Sequence, residues 1–239
     1  MNVIIGDIQM AEKMDTNKKY PWLRYGLSLR SKQRVSTTRY VLYITQIAVV
    51  IVLSYLSVVL LGPLSYSGIS LFYFVTPFFI MFTMWWGAWG LLGAYIGCVI
   101  GAGLMVGLGV VPSLLYSVAD LLTALPVFLI YRGILSRRGI DPLFRDLVDR
   151  EVEGVKMKRR EAWFWFILIP TVLVNLLGAQ VGVGIEYWLG LIPPSLYWYW
   201  WWGWVASGVF PMLIFTPILV KGLSEIVLRA NLVNEGWLT

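Results

Sequence analysis

Arg132-Gly-Ile-Leu-Ser-Arg-Arg-Gly-Ile-Asp-Pro-Leu-Phe-Arg-Asp-Leu-Val-Asp-Arg-Glu-Val-Glu-Gly-Val-Lys-Met-Lys-Arg-Arg-Glu161 is the one long polar connection in an otherwise apolar chain. It holds nine bases, Arg132, Arg137, Arg138, Arg145, Arg150, Lys156, Lys158, Arg159 and Arg160, with six acids among them. A short helix is expected over 142–155. Outward from this stretch, 59% of the 239 residues are apolar and only 13% are charged, where soluble domains carry roughly a quarter. The mean hydropathy is +0.74. The remaining bases fall in two further places only. Eight lie in 1–39, and Lys221 and Arg229 close the chain, which completes the nineteen. Cytoplasmic loops of membrane proteins carry the excess of Lys and Arg. Six spans put all three basic segments on one side, whereas five or seven divide them. The expected fold class is therefore an all-α integral membrane protein, six transmembrane helices in one bundle, N-in and C-in, in the cell membrane.

The apolar runs supply the spans at about 20 residues each. They lie at about 40–61, 71–86 (short), 91–111, 113–131, 162–191 and 197–220. Turn residues at 62–68, Gly87, Gly90, Pro112 and Pro193-Pro194 separate them. Pro126 is an expected kink. The chain thus divides into a basic cytoplasmic tail at 1–39, a six-helix membrane domain at 40–220 with the connection 132–161, and a tail at 221–239. No signal peptide is readable in the first segment. Residues 20–30, which mix aromatics, leucines and bases, suit either a membrane surface or a solvated tail.

His is absent. That removes Ser–His and Cys–His nucleophiles, zincin sites and His-ligated haem. Cys98 is the only cysteine, so no disulfide framework exists. An intramembrane aspartyl protease needs two aspartates in spans, and Asp120 stands alone. No phosphate-binding Gly-rich loop with Lys-Ser/Thr is present. No enzyme activity, metal, cofactor or nucleic-acid partner is expected, and the +6 charge is read as topology.

Polar groups within spans are costly and mark function or helix–helix hydrogen bonds. In the fourth span, Tyr116, Asp120 and Thr123 share a helical face at i, i+4 and i+7. In the fifth, Asn175, Gly182 and Glu186 form one stripe while Gln180 points away. In the last, seven aromatics occupy the eight positions from Tyr197 to Trp204. An interfacial belt accounts for some of these rings, with Trp85, Trp86, Trp89, Trp163 and Trp165 as its inner counterpart. Eight consecutive helical positions point in every direction, however, so some must face protein. Trp200, Trp204 and Ser207 share that face. Gly93, Gly97 and Gly101 repeat at four-residue spacing, which lets another helix approach closely, in this chain or in a partner.

The segment 77–132, with Trp86-Gly-Ala-Trp-Gly-Leu-Leu-Gly-Ala-Tyr-Ile-Gly and then a Pro-interrupted span ending in Tyr131-Arg132, resembles the middle helices of the substrate-binding S-components of energy-coupling-factor vitamin transporters. The resemblance is one of layout and glycine rhythm over 40–220. It implies a substrate-capturing membrane subunit that works with a coupling transmembrane subunit and separate ATPase subunits. Those proteins dock through an Ala-rich first span, and here that span has only Ala48. Trp200-Trp-Trp-Gly-Trp-Val-Ala-Ser-Gly-Val-Phe-Pro, followed by Thr216-Pro217, is similar to the end of membrane-embedded sensor domains of bacterial signalling proteins. A stand-alone sensor, or a structural subunit of a membrane complex, is the alternative.

The chemistry available for a ligand is two carboxylates, amides, hydroxyls and aromatic faces. No base lies within a span. Aromatic faces attract cations, and carboxylates in low dielectric add to this. The expected ligand is small, flat, heteroaromatic and neutral or cationic, thiamin-like compounds being one example. Asp120 and Glu186 are expected to supply countercharge, Tyr116, Trp200 and Trp204 to stack, and Asn175 to line the same cavity.

Overall fold

The first long helix turns its apolar side outward. Along α1 (Thr37–Val59) the buried side is Arg39, Tyr43, Gln46, Val50, Ser54 and Ser57, while Val41, Ile44 and Val52 are exposed. A helix of a soluble protein does the reverse. Here polar groups meet other helices and apolar groups face outward. The same outward stripe recurs at Phe210, Ile214 and Ile218 of the last helix.

The computed structural model describes residues 20–29, 36–60 and 72–238. Much of the basic segment 1–39 and the turn expected at 62–68 lie outside these. Five helices are long and apolar enough to cross a membrane: α1, α3 (Ala88–Val106), α4 (Val110–Arg138), α5 (Arg159–Trp188) and α6 (Pro194–Arg229). Between α1 and α3 lies a shorter helix, α2 (Thr76–Trp86). Its eleven residues span about 16 Å, half a hydrocarbon layer. Ten of them are buried, because α2 packs against α3, α4 and α6 at once. Apolar residues on every side of a helix call for that central position.

α1 lies on α3, α4 on α5, and α5 on α6. The glycine row of α3 is where α1 sits: Gly93 faces the Gln46 amide, Gly97 faces Val50, and Gly101 faces Ile51 and Ser54. The α2–α3 turn is made by Gly87, whose φ of +58° favours glycine.

The basic end of the bundle is closed by the chain ends. Residues 230–238 fold back across it, with Asn234 N–H on Trp85 O at 2.8 Å and Ala88 N–H on Trp237 O at 2.9 Å. Helix α2 leaves terminal carbonyls free, as every helix does. They are met by Arg132, which donates to Met84 O, and by Asn234 Nδ2, which donates to Trp86 O at 3.1 Å. Trp85 and Trp86 are therefore core residues, 1% and 5% exposed, and not members of an interfacial belt. Residues 20–29 form neither a surface helix nor a solvated tail. Trp22 is fully buried and donates to Ser136 O at 3.3 Å.

The helix expected over 142–155 is absent. In its place stand a short 3-10 turn (Arg145–Leu147) and a hairpin of β1 (Glu151–Val152) with β2 (Val155–Lys156). Asp141 accepts from both the Arg145 backbone N–H and its Nε, and Phe144 takes a left-handed φ of 61°, a conformation through which a right-handed helix does not continue. Glu153 and Gly154 then take φ of 49° and 81°, the two left-handed positions of a tight hairpin turn.

Candidate functional site

At the bundle end remote from the basic segments, α1, α3, α4, α5, α6 and the residues before α2 enclose a cavity of about 360 Å³. Its lining includes Tyr73, Tyr116, Asp120, Glu186, Trp200, Trp204 and Ser207, with Val58, Val106 and Leu108 as aliphatic wall. Small-ligand sites begin at about 300 Å³. Five of the six residues expected to hold the ligand, Tyr116, Asp120, Glu186, Trp200 and Trp204, meet here, contributed by three different helices.

The aromatic run divides by helical period. Trp198, Tyr199 and Trp202 point outward, 64%, 38% and 62% exposed, and Trp201 donates to Gln180 Oε1 at 3.2 Å. Trp200 and Trp204, one turn apart, face the cavity. Trp204 can do so because α5 has glycine beneath it. A Cβ on Gly182 would lie 2.6 Å from the indole, and one on Gly178 would lie 2.6 Å from Thr123 Oγ1. Tyr116 meets Trp204 edge to face, centroids 6.2 Å apart at 80°, a favourable aromatic geometry. Together they form one corner of the wall.

Asp120 is 5% exposed. Its carboxyl lies beside the Cys98 thiol, and Cys98 Sγ lies 3.1 Å from Tyr73 Oη and 3.7 Å from Ser54 Oγ. These groups make a polar patch bordering the cavity. Glu186 comes from α5. Among the described residues neither carboxyl forms an ion pair, and no base lines the cavity. The site therefore presents two acidic groups to a low-dielectric space, where charge interactions are strong.

Among the described residues, two polar atoms of the lining have no partner: Glu186 Oε2, an acceptor, and Trp200 Nε1, a donor. Buried polar groups are nearly always hydrogen-bonded, so an unmet acceptor and an unmet donor in one cavity are what a ligand or ordered water would satisfy.

Asn175 does not line the cavity. It donates to Thr171 O at 2.8 Å, and its carbonyl side packs on Gly208 of α6. It lies on the expected stripe but eleven residues below Glu186, about 16 Å deeper, beneath the cavity floor. Its work is to join α5 to α6. Gly93, Gly97 and Gly101 lie along the α1 contact described above. Tyr73, Cys98 and Ser54 were not singled out from sequence as site residues. The available signal was the pair Ser54 and Ser57 in the otherwise apolar second half of the span.

No family model matches the chain, and neither the curated proteins nor the solved structures give a match. The site has to be read from its own geometry.

Proposed function

We propose that the chain is the substrate-capturing membrane subunit of a small-molecule uptake transporter, energised by separate ATPase subunits through a coupling transmembrane subunit. In this reading α2 is the sixth membrane element, the basic end with both termini is cytoplasmic, and the cavity opens to the outside of the cell membrane. All nineteen bases then lie on one side, as the positive-inside bias asks. The substrate is a flat heteroaromatic compound, neutral or cationic, held between Trp200, Trp204 and Tyr116 with Asp120 and Glu186 as countercharge.

One observation carries the reading. Among the described residues, the cavity contains an unmet acceptor, Glu186 Oε2, and an unmet donor, Trp200 Nε1, beside two acids and no base. Unmet polar atoms such as the Tyr131 hydroxyl and Arg132 Nε sit among packed side chains, whereas these two border a volume that a molecule can enter.

The test is mass spectrometry of small molecules released from the detergent-purified protein, followed by calorimetric titration with thiamin and other cationic heterocycles. Asp120→Asn and Glu186→Gln are each expected to weaken binding about tenfold, the worth of one charge-assisted contact. Equal binding by the parent and both variants, or release of an anionic ligand, overturns the assignment. Recovery of ligand-free protein as a fixed partner in a larger complex favours the structural-subunit reading instead.

A further inference from the structure

A second cavity lies at the other end of the molecule and shares no residue with the first. It is a groove at the start of α5, lined by Arg150, Lys156, Arg159 and Arg160, with Trp163, Phe164 and Ile167 continuing it along the helix. No acid lines it. The other bases nearby are engaged. Arg145 pairs with Asp141 and Glu153, Arg24 with Glu153, and Lys158 with Glu161 at 3.4 Å. Among the described residues, the four lining bases have no ion-pair partner. Two side chains are fixed in place by one carbonyl: Arg159 Nε and Trp163 Nε1 each donate to Leu147 O at 3.1 Å. Phe164 and Ile167, 57% and 44% exposed, carry an apolar surface from the bases toward the middle of the helix.

From this charge and shape we infer that the groove binds one anionic phospholipid, its phosphate held by Lys156, Arg159 and Arg160 and its acyl chain lying along Phe164 and Ile167. A basic pocket at the end of a membrane helix has the depth and sign to take a lipid headgroup. The apolar continuation is what selects a lipid over free phosphate, which would use only the basic half. The inference rests on α5 crossing the membrane and is independent of what the first cavity holds.

Native mass spectrometry of the full chain in detergent tests it, with dioleoyl phosphatidylglycerol, dioleoyl phosphatidylcholine or inorganic phosphate added. The expected result is one retained phosphatidylglycerol, much less phosphatidylcholine, and no displacement by phosphate. Arg159→Gln with Arg160→Gln should weaken phosphatidylglycerol binding roughly tenfold to thirtyfold, from the worth of each base near a headgroup. Arg137→Gln with Arg138→Gln, exposed bases at the same end but outside the groove, should leave it unchanged and so separates a site from general attraction. Equal retention of the two lipids, equal loss in both double variants, or displacement by phosphate overturns the proposal. Should the Arg159/Arg160 variant elute as aggregate, Lys156→Gln in the exposed hairpin gives the same reading: weaker phosphatidylglycerol binding supports it, and unchanged binding counts against it.

Discussion

Asp120 and Arg132 stand on the same helix, twelve residues and about 18 Å apart, and both are buried, 5% and 2% exposed. Their surroundings differ in kind. Arg132 donates to three backbone carbonyls, Met84 O, Asn234 O and Gly236 O, and its guanidinium lies 4.8 Å over the Phe128 ring. Asp120 borders an open cavity in the company of a thiol. One charge is used up in tying the chain ends to the bundle, and the other is left available. Unmet polar atoms exist at both ends. Those near Arg132, its own Nε and the Tyr131 hydroxyl, belong to tightly packed side chains, whereas Glu186 Oε2 and Trp200 Nε1 face a volume that a molecule can enter. A buried polar group marks a site when there is space beside it.

The largest test of this contrast is Arg132→Gln. It should cost about 3–5 kcal/mol, since up to three carbonyls lose a charged donor and some become buried without a partner. Thermal melting of the detergent-purified protein should fall steeply, while Asp120→Asn melts at or above the parent. Equal melting of Arg132→Gln and the parent would show that the carbonyl contacts at the basic end hold nothing together.

Next in size is Gly87→Ala. Its positive φ is strained for alanine, at about 1–3 kcal/mol, and the added Cβ collides with the Trp237 carbonyl. The folded-back segment 230–238 should loosen, read as faster proteolysis near the C-terminus with ligand binding at the far cavity retained. Unchanged proteolysis would mean that the segment is held by something other than the α2–α3 turn.

The sequence showed the two ends unequally. Segregation of bases gave the basic end its identity, and i, i+4 spacing put Tyr116 with Asp120 and Trp200 with Trp204. Period identifies a face but carries no depth. That is why Asn175 was grouped with Glu186 although it sits a full cavity below it. The folded basic end was not readable, because its bonds join residues far apart in sequence: Arg39 to Asn231 O, Tyr43 to Asn234, Trp22 to Ser136. A polar tail and a docked polar segment have the same composition. The hairpin at 151–156 turns on Glu153-Gly154, a weak signal in a charged stretch.

A smaller effect sharpens the picture of the basic end. Burial, and then the neighbouring Asp141 charge, push the Asp146 carboxyl well above its ordinary range. A carboxyl whose folded value is raised contributes stability that is present below the unfolded value and lost as pH climbs through the folded one. Melting should therefore decline from mildly acidic toward alkaline pH, and Asp146→Asn should flatten that decline. The variant keeps the side-chain acceptor for the Asp141 N–H, a bond of 2.9 Å. An identical pH slope in parent and variant would assign the dependence to another group.

The smallest expected effect is the most discriminating, Trp200→Phe. The substitution keeps an aromatic face and removes one N–H. In the free protein that N–H has no hydrogen-bond partner among the described residues, so its removal breaks no bond seen in the fold and relieves a buried donor of its desolvation cost. Melting should stay level or rise slightly. A ligand that accepts this hydrogen bond would lose about 1 kcal/mol on its removal, about fivefold in affinity for the cationic heterocycle. Packing residues behave in the opposite way, since trimming them lowers stability first. Trp204 supplies the control, because it rests on Gly182 and meets Tyr116: Trp204→Phe should lower melting as well as binding. If Trp200→Phe instead lowers melting and leaves affinity unchanged, the indole is part of the wall, and the unmet donor is no evidence of a ligand.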